Sequence, residues 1–227
     1  MLAPSAPKRT SLRRAGGWGA LLSAVLLAAS FSAPAHADEP GVVARGGGGL
    51  EAKLTYCKTC HGPSAQGYRG WFMIPRLAGQ NQEYIRLQLH AFVERRRTNP
   101  VMQNVAHALT PSMVSALADH FHHIEARPIG GAPRGHIATG KQIYEEGLPD
   151  SNVPACYVCH AKDGRAQNDV PRLAGQLYEY VIGQLTNWDK VRGRGTSVDT
   201  SAIMIPTAHN LTKAQIEAVA EYVSNMQ

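Results

Sequence analysis

Two pentapeptides constrain this chain more than anything else in it: Cys57-Lys58-Thr59-Cys60-His61 and Cys156-Tyr157-Val158-Cys159-His160. They use all four cysteines, and each is a complete C-x-x-C-H pattern. In such a pattern the two thiols add across the vinyl groups of a haem, while the adjacent imidazole gives the iron one axial nitrogen. The spacing suits this chemistry because one helical turn sets two thioethers and a ring against the same porphyrin edge. A four-cysteine zinc site or a redox dithiol would use the same thiols, but neither needs His at the fifth position twice. Two covalently bound haems (haem c) are therefore expected. Cys57, Cys60, Cys156 and Cys159 would attach them, and His61 and His160 would ligate iron.

The motif recurs because the chain is duplicated. Pro75-Arg76-Leu77-Ala78-Gly79-Gln80 begins fourteen residues after His61, and Pro171-Arg172-Leu173-Ala174-Gly175-Gln176 begins eleven after His160. Farther on, Met102 to Thr110 aligns with Met204 to Thr212 without a gap, sharing Met, Ala, His, Leu and Thr. Between the copies, Glu125 to His136 lacks helical periodicity and holds Arg127-Pro128 and Gly130-Gly131-Ala132-Pro133. The organisation read from this is a first domain at 41–126, a linker at 127–135 and a second domain at 136–227. Each domain is short of core by itself, and a stapled haem would fill the gap.

The first 37 residues read as a secretory signal. Lys8, Arg9, Arg13 and Arg14 precede the apolar stretch Trp18 to Ser32, and Ala35-His36-Ala37 offers a small-x-small cleavage site. The alternative is a retained anchor, although the apolar run is shorter than the roughly 20 residues of a membrane span. The leader carries four of the 23 basic residues and none of the 17 acidic ones, so the remainder has a formal charge of +2. That excludes a nucleic-acid binder and leaves room for peripheral association with a membrane.

Helical periodicity dominates the remainder. Asn81 to Arg97 sets Tyr84, Ile85, Leu87, Leu89, Phe92 and Val93 mainly along one face, and Leu177 to Lys190 does the same with Tyr180, Val181, Leu185 and Trp188. Thr110-Pro111 opens a late helix in the first copy, and Thr212 with Gln215 forms a capping box in the second. Alternating strand patterns are missing, so the fold class is all-α, with helices wrapped round each haem.

A carrier that cycles between oxidation states needs a second axial ligand that stays bound in both, and a soft thioether favours ferrous iron. Met102 and Met204 stand 41 and 44 residues after their respective His, each just before the last helix. They are matched by the duplication, whereas Met73, Met113 and Met226 are not. His107 and His209 are matched too, five residues after each Met, and compete as ligands. In the second coordination sphere, Pro75 and Pro171 would each offer a carbonyl to the free ring N–H of the neighbouring ligand His. Arg76 and Arg172 are candidates to pair with haem propionates.

In combination these residues resemble the two-haem cytochrome c4 family: tandem cytochrome c-like domains, each with C-x-x-C-H, a P-x-L-A-G-Q segment followed by Tyr, and a Met before the last helix. The resemblance implies His/Met ligation of both irons, a pseudo-twofold pair of domains, and periplasmic electron transfer toward a terminal oxidase. Redox proteins would be the partners: an oxidase, a cytochrome bc complex or a dehydrogenase. A related reading is the cytochrome subunit of a dehydrogenase such as flavocytochrome c sulfide dehydrogenase. An enzyme, such as a two-haem peroxidase, would need an open or displaceable position on one iron, whereas both copies keep a Met; an electron carrier is expected. One departure stands out, in that Gln176 to Met204 is six residues longer than Gln80 to Met102 and includes Arg192-Gly193-Arg194-Gly195.

Overall fold

The computed structural model describes residues 46–192 and 200–227. The leader expected over 1–37 and the Gly193-Arg194-Gly195 insertion lie outside the described residues. Among the described residues extended backbone pairs only at the isolated bridges Tyr68–Ile74 and Leu148–Val153, so the class is all-α.

The first copy contains α1 (Gly46–His61), α2 (Gln82–Val93), α3 (Pro100–His107) and α4 (Pro111–His122). The second contains α5 (Ile137–Glu146), α6 (Tyr157–His160), α7 (Tyr178–Thr186), α8 (Trp188–Val191), α9 (Met204–His209) and α10 (Lys213–Asn225), with 3-10 turns at Pro149–Ser151 and Thr200–Ile203. The expected helix starts are present. Thr110 accepts from Met113 N ahead of Pro111. Thr212 and Gln215 cap each other reciprocally. The helix read over 81–97 stops at Val93, because Arg95 takes φ of 58°, a left-handed conformation no α-helix holds. The one read over 177–190 divides into α7 and α8 where Asn187 leaves helical geometry at φ −121° and ψ 24°.

Each copy packs in the same way. Its last helix lies on its first helix and on the helix after the PRLAGQ segment: α4 on α1 and α2, α10 on α5 and α7. Two separate cores result. One gathers Leu54, Ile85, Leu117 and Phe121, and the other gathers Ile143, Tyr144, Val181, Ile216 and Val223.

The PRLAGQ segments are the turns that hold each copy together. Leu77 N and Ala78 N both donate to Ala65 O, and Leu173 N and Ala174 N both donate to Gly164 O. Gly79 and Gly175 then adopt φ of 69° and 71°, where a Cβ would strain the chain. From there their N–H groups reach Phe121 O and Val223 O of the last helix, each at 2.9 Å.

The same segments also lock the copies to each other. Gln80 accepts from Arg172 N at 2.7 Å and donates to Arg172 O at 3.1 Å. Gln176 accepts from Arg76 N at 2.9 Å and donates to Arg76 O at 3.1 Å. The pairing is reciprocal, as a pseudo-twofold junction requires. The connecting residues 127–135 carry no helix but are anchored: Arg69 donates to Gly130 O, and Asn225 donates to Pro133 O.

Candidate functional site

At the end of α1, His61 is buried, and its Nδ1 lies 2.8 Å from Pro75 O. In α6, His160 is buried, with Nδ1 3.1 Å from Pro171 O. A carbonyl only accepts, so each Nδ1 must carry the proton and donate it, which leaves Nε2 with its lone pair. Burial pushes both imidazoles below their ordinary pKa; the carbonyl contacts oppose this, and at His61 the charge of Arg97 lowers it further. Both rings are thus neutral, the form that ligates a metal.

Cys57 and Cys156 are half-buried, and Cys60 and Cys159 exposed; none is in a disulfide. Burial raises the Cys57 thiol and pushes Cys156 up to about 11. A redox dithiol works through a lowered thiol pKa, so these groups do not fit that use. Nor do the two pairs meet in one cluster: among the described residues no group of three or more His, Cys, Asp or Glu could hold a metal ion. Two thiols and a neutral imidazole within one turn, repeated once per copy, do fit covalent haem.

Met102 is half-buried on α3, whose N-cap Asn99 accepts from Met102 N at 3.0 Å; α3 packs on α2. Met204 is half-buried at the first position of α9, which packs on α7 and α8. The unmatched Met113 lies inside α4 and Met226 packs on the second core. His107 is exposed with Nδ1 2.7 Å from Gln103 O of its own helix, and His209 is exposed at the rim of a cavity of about 480 Å³ beside Ile205 and Leu211.

Arg76 and Arg172, expected beside propionates, give part of their donor sets to main-chain carbonyls. Arg76 donates from Nε to Ala78 O at 3.0 Å and from Nη2 to Ala126 O at 2.5 Å; Nη1 is buried with no partner. Burial, then Arg172 and Arg165, lower its pKa to about 10. Arg172 donates from Nε to Ala174 O, and its guanidinium rests against Gly79.

A second group of side chains was not expected. Arg97 and Arg192 meet between the copies, among Tyr84, Gln88, Tyr180 and Gln184. One trace of it was in the sequence: Tyr-x-x-x-Gln occurs at Tyr84–Gln88 and again at Tyr180–Gln184.

The family model for cytochrome c matches residues 137–227. The cytochrome c4 of Thiocapsa roseopersicina is 34% identical over 78% of this chain and 90% of its own length. The thiosulfate dehydrogenase electron acceptor of Stutzerimonas stutzeri is 32% identical over 79% of this chain and 82% of its own. The structure of Acidithiobacillus ferrooxidans cytochrome c4 is similar with a TM-score of 0.65 and 34% identity, covering 75% of this chain and 98% of that one.

Proposed function

Because the chain belongs to the cytochrome c4 family, and so is an electron carrier with covalently bound haem c rather than an enzyme, we propose that it holds two haems and works in the periplasm. Residues 41–126 and 136–227 are then one haem domain each. Bound haem c supplies the one-electron Fe(III)/Fe(II) couple. The chain's part is to attach it through Cys57 and Cys60, and through Cys156 and Cys159, and to ligate iron with His61 and His160. Pro75 and Pro171 orient these imidazoles and raise their basicity. Met102 and Met204 would each offer iron a thioether, a soft ligand that favours Fe(II) and raises the potential.

The observation that carries this reading is the matched pair of buried neutral imidazoles, each held by a proline carbonyl beside two thiols. Electrons would pass between respiratory partners, toward a terminal oxidase. A second reading, service to a dehydrogenase, is favoured by the relative that is a thiosulfate dehydrogenase electron acceptor. The leader-like first 37 residues support export. Intact-mass measurement of protein from the periplasmic fraction should show two haem additions, no free thiol and loss of the leader. One haem or none would overturn the reading. Mixing the reduced protein with oxidase-containing membranes, and the oxidised protein with a thiosulfate-reduced dehydrogenase, separates the two partners.

A further inference from the structure

We propose that the loop carrying Trp71 and Phe72 is a docking knob for a lipid surface, present in the first copy alone, so that the first copy is the one laid against a membrane. Trp71 is 94% exposed and Phe72 76%, the two most exposed large apolar side chains among the described residues. Single exposed apolar residues are ordinary, but two adjacent aromatic rings at the tip of one loop mark a contact surface. The knob also has no counterpart. Tyr68 to Met73 in the first copy answers to only three residues in the second, Gln167-Asn168-Asp169, which accounts for the longer spacing between His61 and Pro75.

The loop is held in shape at its base. Tyr68 and Ile74 exchange main-chain hydrogen bonds at 2.9 and 3.1 Å. Arg69 pairs with Glu179 and donates to Gly130 O at 2.9 Å, which ties the loop both to the second copy and to the connecting segment. The Tyr68 ring folds over Gly70, where a Cβ would come within 2.3 Å of it. A backbone fixed in this way has little conformational entropy left to lose on docking.

Size and charge choose the occupant. A specific protein partner covers about 800 Å² a side, and two rings of about 150–250 Å² each fall well short of that. A lipid surface needs no matching contour: an indole and a phenyl ring can enter the headgroup layer singly, with the indole N–H left facing water. Gly62 to Gln80 holds Arg69 and Arg76 and no Asp or Glu, so no carboxylate of the loop has to approach anionic headgroups. The answering stretch of the second copy, Ala161 to Gln176, has Asp163 and Asp169 and no aromatic ring. No helix among the described residues is long and apolar enough to cross a membrane, so these residues meet a bilayer only at its surface. Phe72 lies three residues before Pro75, whose carbonyl holds His61. On the reading that each copy binds a haem, docking therefore turns the first haem toward membrane-held partners and leaves the second to soluble ones.

Flotation of the leader-free holoprotein with vesicles of phosphatidylethanolamine and phosphatidylglycerol, and with vesicles of phosphatidylcholine alone, tests this. The wild type should float with both, and added salt should change little, since the contact is mainly apolar. Phe72→Ala should lower the partition coefficient about tenfold and Trp71→Ala at least as much, because burying a large apolar side chain is worth about a factor of ten or more. Trp71→Phe should keep most of the binding. Both side chains face solvent, so the variants should retain the wild-type visible spectrum and haem content. Equal flotation of wild type and Trp71→Ala, or none of either, would overturn the proposal. So would binding confined to phosphatidylglycerol and lost in salt. A wild type that sediments as a dimer, with Trp71→Ala a monomer, would make the occupant a second copy. Binding to cell membranes but not to vesicles, abolished by trypsin treatment of those membranes, would make it a protein; either result overturns the lipid assignment. A preparation with one haem per chain that still floats through Trp71 would uphold the knob and overturn the two-haem reading instead.

Discussion

In the first copy Cys57, Cys60 and His61 end a sixteen-residue helix, α1. In the second, Cys156, Cys159 and His160 sit at a single turn, α6, reached from α5 through residues 147–156. That loop is pinched shut by Leu148 and Val153, which exchange both main-chain hydrogen bonds. Fully buried Tyr144 of α5 then reaches past it and donates to Ala161 O at 2.6 Å, next to His160. The first copy achieves by helix continuity what the second achieves by a tertiary tether. The lesson is that the ligand turn needs only its own local geometry and a proline carbonyl opposite the ring; what supports it from behind can be exchanged.

The helix crossings differ as well. A Cβ on Gly140 of α5 would come within 2.0 Å of Ala218 O of α10, whereas one on Gly49 of α1 would meet nothing nearer than Met113 Cε at 3.7 Å. The second copy is closely fitted at its crossing and the first is open.

The sharpest way to break the comparison is at the proposed axial methionines. Met102→Ala and Met204→Ala should each convert one haem to a five-coordinate or water-bound form. Each should lower that haem's potential by a sizeable part of the roughly 0.8 V that axial ligands span. Visible spectra and redox titration would show equal losses if the copies are ligated alike. Met113→Ala should leave both haems low-spin, and a Met102→Ala protein with two unaltered Met-ligated spectra would turn attention to His107 and His209.

Next in size is the crossing. Gly140→Ala should destabilise the holoprotein by about 3 kcal/mol, because backbone rather than a flexible side chain must move. Gly49→Ala should gain about 0.5 kcal/mol from helix propensity. Denaturant melts giving equal effects would mean that the two crossings are alike in solution.

The Gln80 and Gln176 contacts predict sameness instead. Gln80→Ala and Gln176→Ala should each cost about 2 kcal/mol, since each leaves a main-chain N–H and C=O of the opposite copy unpaired. A marked inequality in unfolding free energy would show that the junction is not symmetric.

Tyr144→Phe should cost about 1 kcal/mol, less than the junction glutamines, and act on the second copy alone. Burial raises the Tyr144 phenol well above its ordinary value. The folded state therefore keeps a proton that the unfolded state loses. This contribution is complete below the unfolded phenol's pKa of about 10 and declines as pH rises toward the folded value. Melts at pH 8 and 11 should show a smaller alkaline loss in Tyr144→Phe than in the wild type.

What the sequence determined by itself was whatever depends on short separations. The C-x-x-C-H turns, the caps at Thr110 and Thr212, and the proline carbonyl beside each histidine all follow from neighbours within about fifteen residues, and the duplication repeats them. Helix lengths were less legible, because Arg95 and Asn187 leave α geometry within stretches whose apolar spacing still reads as helix. Only the tertiary structure decided that PRLAGQ is also the lock between copies, that Arg76 and Arg172 spend donors on carbonyls, and that Arg97 meets Arg192. Those contacts join residues as far as 108 apart, and no local pattern marks which of 23 basic residues will be buried together. The physical reason is that hydrogen-bond demand at a junction exists only once both surfaces have folded and excluded water.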